Sequence, residues 1–280
     1  MIKNSQIRQF HNDGYLVLKD FKDQSELDDL RRAALNIVDA FDAESHKSIF
    51  TTQNQTAVLD EYFKGSGDKV RCFFEAGAFD ADGQLAHAKA LSINKIGHAM
   101  HDLNPEFEAF SRDRRLAEIF ERLGNEDPKI WQSMYIFKQP RIGGTVDWHQ
   151  DATFFYTEPL SVITLWFAID DATLDNGCLW VSKSGDGFPL KERFELINDS
   201  LTMTSLDDTP WPTTEAAIPL EVAAGTLILF KGRLPHYSAP NSSNKARHAY
   251  TMHVTDGRTD YAPSNWIQRG ADFPARGFQI

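Results

Sequence analysis

From about residue 130 onward the chain is a series of short β-branched or aromatic runs, and this texture constrains its fold more than any other feature. The runs cover residues 130–138, 162–170, 178–181, 226–230 and 247–254, broken by Gly, Pro, Asn and Asp, as strands are by turns. The first part reads differently. Leu27, Leu30, Ala34, Ile37 or Val38, and Phe41 recur at helical spacing behind Ser25 as a cap. Ile93, Ile96, Met100 and Leu103 predict a second helix. Leu116, Ile119, Phe120 and Leu123 predict a third, which Gly124 stops. Tyr15-Leu16-Val17-Leu18 and residues 69–75 read as strands, and residues 44–68 as a loop-rich excursion.

Helices first and strands afterwards indicate an α+β chain whose strands close into a two-sheet barrel. With no repeat period and no Gly/Ser linker, residues 1–280 are expected to form one domain. It is helix-rich over 1–128, with the barrel core over about 129–256. Residues 182–217 are polar with little periodicity, and Pro210, Trp211 and Pro212 stand near their end. They are the candidate lid, because long unstructured stretches in compact domains are often lids or binding loops.

Within the strand-rich half, His149-Gln150-Asp151 stands out, with His236 far downstream. Side chains at i and i+2 of a strand share a side, so His149 and Asp151 can reach one ion and Gln150 cannot. A third ligand must come from a strand distant in sequence, as His236 could. Two histidines and a carboxylate on one face of an iron leave the other face open for a co-substrate and O2. An isolated HxD is more often a surface His and Asp in a turn, so the motif depends on its company.

Arg247 heads one of the strand runs, and a guanidinium there can clamp a carboxylate through two parallel hydrogen bonds. Ser238 shares a face with His236. In 131–138, Gln132, Met134 and Ile136 form one face, the better pocket wall; Trp131, Ser133, Tyr135 and Phe137 form a face that reads as core. Trp166 suits either plain core or a wall over a co-substrate. His248 should face away from Arg247. His98 and His101, at helical spacing, read as structural or surface residues, and His11, His46, His87 and His253 carry no functional expectation. Gly143-Gly144 lacks the Lys-Ser/Thr of a phosphate loop and reads as a turn or bulge.

The 20 phenylalanines favour a large aromatic-rich core. The net charge of −11 argues against a bulk electrostatic hold on nucleic acid or an anionic membrane. A small anionic co-substrate needs only one or two well-placed cations. Cys72 and Cys178 follow no metal-ligand spacing and read as reduced, buried thiols. The opening residues lack the apolar stretch of a signal peptide, and no run approaches membrane-spanning length. A cytoplasmic location and a small-molecule partner are therefore expected; nothing points to an oligomeric state.

Several stretches together resemble the phytanoyl-CoA dioxygenase family. They include Phe10-His11-Asn12-Asp13-Gly14-Tyr15-Leu16-Val17-Leu18, Ser66-Gly67-Asp68-Lys69-Val70-Arg71 and Ser92-Ile93-Asn94-Lys95-Ile96-Gly97-His98-Ala99. His149-Gln150-Asp151-Ala152 and Tyr156-Thr157-Glu158-Pro159-Leu160 follow, and Asp171-Ala172-Thr173-Leu174-Asp175-Asn176-Gly177-Cys178-Leu179-Trp180 is the longest match. The resemblance implies a double-stranded β-helix (cupin-like jelly roll) that uses Fe(II), 2-oxoglutarate and O2. It implies that His149, Asp151 and His236 bind iron and that Arg247, helped by Ser238, holds the distal carboxylate of 2-oxoglutarate. Lys95, Met134 and Trp166 would line the co-substrate pocket. The chain departs from the family where a Pro-Gly-Ser-His turn is usual: it reads Val181-Ser182-Lys183-Ser184-Gly185-Asp186-Gly187, near the expected substrate opening.

The expected activity is hydroxylation of a small or lipid-like organic substrate with release of succinate and CO2. A CoA thioester is disfavoured by the negative charge unless Lys183, Lys191 or Arg193 line the mouth. The rivals are a cupin-like binding or scaffold protein without turnover, and Zn(II)-assisted hydrolysis in the same triad.

Overall fold

The computed structural model describes residues 2–50 and 60–279. In chain order the elements begin α1 (Asn4–Asp13), β1 (Tyr15–Leu18), α2 (Gln24–Ala40), α3 (Glu61–Lys64), β2 (Val70–Phe74) and β3 (Ile93–His98). Then come α4 (Met100–Leu103), α5 (Pro105–Ser111), α6 (Arg114–Arg122), β4 (Pro128–Ile136), β5 (Val146–His149), β6 (Thr157–Glu158), β7 (Ile163–Ala168) and β8 (Leu179–Ser182). The rest are β9 (Glu192–Ile197), β10 (Ser200–Ser205), β11 (Ala217–Leu220), β12 (Leu227–Lys231), β13 (His236–Ser238), β14 (Ala249–Asp256) and β15 (Asp260–Tyr261).

Seven strands form an antiparallel sheet in the order β1-β12-β7-β14-β4-β3-β2, and four form a second in the order β11-β8-β13-β5. Strand alternation decides what each face carries. On β12, Leu227 and Leu229 pack toward the helices, while Ile228 and Phe230 join a cluster with Leu179 and Val181 of the smaller sheet. On β14, Tyr250, Met252 and Val254 enter the helix-side core. Ala249, Thr251 and His253 take the opposite face, between the sheets. The inner face is therefore the one with polar side chains among apolar ones, and the site lies there. No helix among the described residues is long and apolar enough to cross a membrane.

Helix α2 packs Leu27, Leu30, Ala34 and Val38 as expected, but its cap is Asp23 rather than Ser25. The Asp23 carboxylate accepts from Glu26 N at 2.9 Å and Glu26 accepts from Asp23 N at 3.0 Å. This capping box satisfies two backbone donors reciprocally, which a lone serine at the second helical position cannot do. Helix α6 buries Leu116, Ile119 and Phe120, and Gly124 follows it at φ +86° as expected.

Two expectations are corrected. The helix predicted through Ile93, Ile96, Met100 and Leu103 is a strand, β3, followed by one helical turn, α4. β3 lies between β2 and β4 and is covered on both faces, so no period of two is visible. A register shift in its pairing with β2 spoils the alternation further. Residues 182–217 are not irregular: they hold the β9–β10 hairpin, closed by Asn198 and Asp199 at φ +48° and +66°. Two consecutive positive φ values make the tight turn whose twist suits a two-residue hairpin. Of the excursion over 44–68, residues 60–65 carry the short helix α3 with its Asp60 cap; residues 51–59 lie outside the described residues.

Candidate active site

β5 and β13 are antiparallel neighbours that place His149 directly opposite His236. After His149 the chain stays extended through Gln150 and then turns, so Asp151 opens a 3-10 turn facing the same space. One ligand atom from each of His149, Asp151 and His236 lies within 4.8 Å of the others. Gln150 is turned away and pinned: its amide donates to Pro189 O at 2.9 Å and Arg233 O at 2.7 Å and accepts from Lys191 N at 2.9 Å.

The tautomers of the two histidines are set by their outer nitrogens. His149 Nδ1 donates to Asp147 O at 2.8 Å, and His236 Nδ1 donates to Leu234 O at 3.1 Å. A carbonyl only accepts, so each Nδ1 carries a proton and each Nε2 is the nitrogen turned to the site. The two Nε2 atoms face Asp151 Oδ1 at 3.8 and 3.7 Å. Burial, then the neighbouring His236, lowers the His149 pKa to about 4, so the ring is neutral at physiological pH. Burial pushes the Asp151 carboxyl up, but the facing His236, His253 and His149 outweigh it and hold the group well below the usual carboxylate range. Two imidazole nitrogens and a carboxylate oxygen thus converge on one point. The donor set therefore fits a divalent ion, with nitrogen and oxygen ligands suited to iron.

Arg247 is buried. Its Nη2 donates to Gly177 O at 3.0 Å and Ser238 Oγ at 3.3 Å, and Ser238 Oγ donates to Gly177 O at 2.8 Å. Its Nε and Nη1 have no partner among the described residues. Burial lowers the guanidinium pKa only to about 10, so it stays charged, and it faces the Trp166 ring at 5.3 Å. A buried cation with two idle donors and no carboxylate among the described residues is a seat for an anion. Gly177, at φ +83°, is required here: a Cβ would stand 2.5 Å from Ala239 O and 2.6 Å from Lys138 Cε. Lys95 Nζ lies 3.7 Å from Met134 Sδ and 3.2 Å from the centre of the Phe50 ring. Burial alone lowers its pKa to about 7.

All eight residues singled out from the sequence, Lys95, Met134, His149, Asp151, Trp166, His236, Ser238 and Arg247, line one cavity of about 180 Å³ between the sheets. His248 faces away, as expected, with Nδ1 2.9 Å from Tyr135 Oη. His98 and His101 are both fully buried, and His98 lines the cavity.

Two side chains were passed over. His253 Nε2 lies 3.5 Å from Asp151 Oδ1, and Thr164 Oγ1 donates to Asp151 Oδ2. His253 had a legible signal: it is six residues after Arg247, an even step on a strand, hence the same face. Thr164 had none. None of residues 181–187 lines the cavity. That departure from the family turn packs instead on the end of α1, where Asp186 pairs with Lys231 at 2.7 Å.

Fold and site together define a class: the non-heme iron, 2-oxoglutarate-dependent oxygenases. The family model for phytanoyl-CoA dioxygenase (PhyH) matches residues 10–249. A phytanoyl-CoA dioxygenase of Arabidopsis thaliana is 43% identical over 94% of this chain and 93% of its own length. The Dictyostelium discoideum homolog of phytanoyl-CoA dioxygenase domain-containing protein 1 is 38% identical over 97% and 98%. The Bos taurus phytanoyl-CoA dioxygenase domain-containing protein 1 is 39% identical over 96% of both. The chain belongs to the phytanoyl-CoA dioxygenase family. Among solved structures, the non-heme alpha ketoglutarate dependent carbocyclase SnoK superimposes with a TM-score of 0.65 at 15% identity, over 98% of this chain and 96% of that one. EctD from S. alaskensis with 2-oxoglutarate and 5-hydroxyectoine gives 0.66 at 20% identity, over 99% and 87%. At such identities the likeness speaks for the fold.

Proposed function

We propose that this protein is an Fe(II)/2-oxoglutarate-dependent dioxygenase that hydroxylates an unactivated C–H bond of a small or lipid-like organic substrate. Its architecture is read as one double-stranded β-helix (cupin-like jelly-roll) domain over residues 1–280. The observation that carries the proposal is the pairing, in one cavity, of two imidazoles converging on a carboxylate with a buried guanidinium that lacks an anionic partner among the described residues.

In this reading His149, Asp151 and His236 hold the metal. Arg247 and Ser238 receive the distal carboxylate of 2-oxoglutarate, and Lys95, Met134 and Trp166 wall the co-substrate. Iron, when bound with 2-oxoglutarate and O2, supplies the oxidising power; one oxygen atom goes to the substrate C–H and the other to succinate, with loss of CO2. The chain's own work is orientation and exclusion of water. Asp147 O and Leu234 O fix the two imidazoles in the ligand tautomer, and Thr164 and His253 fix the carboxylate. Phe194, on the β9–β10 hairpin, reaches the cavity wall, which supports a covering role for 182–217.

The three cations that could meet CoA phosphates are engaged elsewhere. Lys183 donates to Glu215 O at 2.7 Å, Lys191 pairs with Asp207, and Arg193 pairs with Glu195 at 3.1 Å. This favours a substrate without a phosphate-bearing carrier. Two unpaired, buried cysteines accord with a reducing compartment such as the cytoplasm.

Anaerobic addition of Fe(II) and 2-oxoglutarate should give a weak visible charge-transfer band that His149→Ala abolishes. Purified protein that binds neither would end the proposal. Succinate release that requires O2 separates it from a non-turning binding protein and from Zn(II)-assisted hydrolysis.

A further inference from the structure

The cavity is also lined by Gln132 and His98, polar residues that have no use in the assignments above. His253 on β14 pairs with Gln132 on β4, and the next β4 residue, Ser133, pairs with His98 on β3. Gln132 is buried, lines the cavity and makes no side-chain hydrogen bond among the described residues. His98 Nε2 is buried and without a partner among the described residues.

The tautomer of His98 follows from its neighbour. Ser66 Oγ donates its single hydrogen to Phe63 O at 2.6 Å. Its contact with His98 Nδ1, at 2.9 Å, must therefore be one in which Ser66 accepts and Nδ1 donates. Burial, followed by the positive charge of Lys95, holds the His98 pKa well below its ordinary value, so the ring is neutral. A neutral ring with its proton on Nδ1 presents Nε2 as a bare acceptor. A buried acceptor left unpaired is costly, and a ligand donor removes that cost. The surrounding wall is aromatic: Phe63 stacks on Trp266 at 4.4 Å, and Phe155 stacks on His253 at 4.6 Å.

We infer that the primary substrate is a compact apolar molecule bearing a hydroxyl, whose O–H donates to His98 Nε2 and whose oxygen accepts from the Gln132 amide. This rests on the dioxygenase reading for the identity of the site and adds the class of molecule that enters it. Gln132 offers both a donor and an acceptor, so it can complete a hydroxyl already seated on His98. A purely hydrocarbon body would leave both groups unpaired and be rejected relative to its hydroxylated counterpart. A loss of one buried hydrogen bond corresponds to a difference of roughly 10- to 100-fold in affinity.

The test uses the full chain, loaded anaerobically with Fe(II) and 2-oxoglutarate. The probes are one- to three-ring alicyclic and benzo-fused alcohols, each paired with the analogue in which fluorine replaces the hydroxyl. Affinity is read by perturbation of the charge-transfer band. Binding is also read from the imidazole 15N resonance of His98 in histidine-labelled protein, assigned by its loss in His98→Phe. The expected result is a preference of roughly 10- to 100-fold for at least one alcohol over its fluoro partner, with a shift of the His98 Nε2 resonance. His98→Phe and the near-isosteric Gln132→Met should each reduce the preference. The inference is overturned if no alcohol beats its partner, or if the preference survives both substitutions. Titration of 2-oxoglutarate is run in parallel. Its failure to bind, with the alcohol preference and 15N shift intact in the metal-free protein, would sink the dioxygenase reading alone; normal binding without the preference would sink this inference alone.

Discussion

His253 Nε2 stands 3.5 Å from Asp151 Oδ1, so the carboxylate that joins two imidazoles at the proposed metal position also meets a third. Its other oxygen accepts from Thr164. Such outer partners orient a ligand and tune its basicity. Thr164→Val and His253→Leu are each expected to weaken Fe(II) affinity by about 10- to 100-fold while leaving the fold intact. Anaerobic metal titration with far-UV circular dichroism checks both.

Arg247 keeps two buried donors without a partner among the described residues. Removing it takes away the charge that compensates the distal carboxylate of 2-oxoglutarate. Arg247→Met should weaken 2-oxoglutarate binding by about 100-fold or more, with Fe(II) affinity near that of the parent. Arg247→Lys should recover only part of it, because an ammonium cannot form the parallel pair of bonds. Calorimetric titration of the metal-loaded protein reads both.

Gly177 is the hinge of the same clamp, since its carbonyl accepts from both Arg247 and Ser238. Gly177→Ala must distort a backbone held at φ +83° and relieve contacts of 2.5 and 2.6 Å. The expected cost is at least about 1–2 kcal/mol of stability, with reduced 2-oxoglutarate affinity. Urea denaturation and ligand titration separate the two effects.

Lys95 predicts a pH dependence. Burial lowers its pKa to about 7 in the folded chain, against roughly 10.4 when unfolded. Between those values the unfolded state binds more protons, so stability of the ligand-free protein rises with pH across that window. The slope from this group approaches about 1.4 kcal/mol per pH unit and vanishes below the folded value, where both states are protonated. Lys95→Met should remove this component of the slope. Urea midpoints from pH 6 to 10 for the parent and the variant test it.

Much of the architecture is legible in local pattern. The strands through Trp166, Leu229 and Tyr250 announce themselves because β-branched and aromatic residues alternate between two apolar faces. The α2 and α6 stripes do so because one side of each helix is solvated. β3 misleads because both its faces are covered and its register slips beside Phe73 and Phe74. The hairpin around Phe194 carries a weak alternation, Phe194 and Leu196 facing Leu201 and Met203, that polar neighbours obscure.

A histidine and a carboxylate two residues apart that point one way, an arginine at the head of a strand run, and helices ahead of a β-rich half can all be read along the chain. These are consequences of backbone periodicity, which acts over a few residues. That His236 lies opposite His149, that Thr164 and His253 meet Asp151, and that Ser66 accepts the Nδ1–H of His98 emerge only on folding. Such facts depend on sheet register and on where a single hydroxyl proton goes, and both are settled by contacts between segments far apart in the chain.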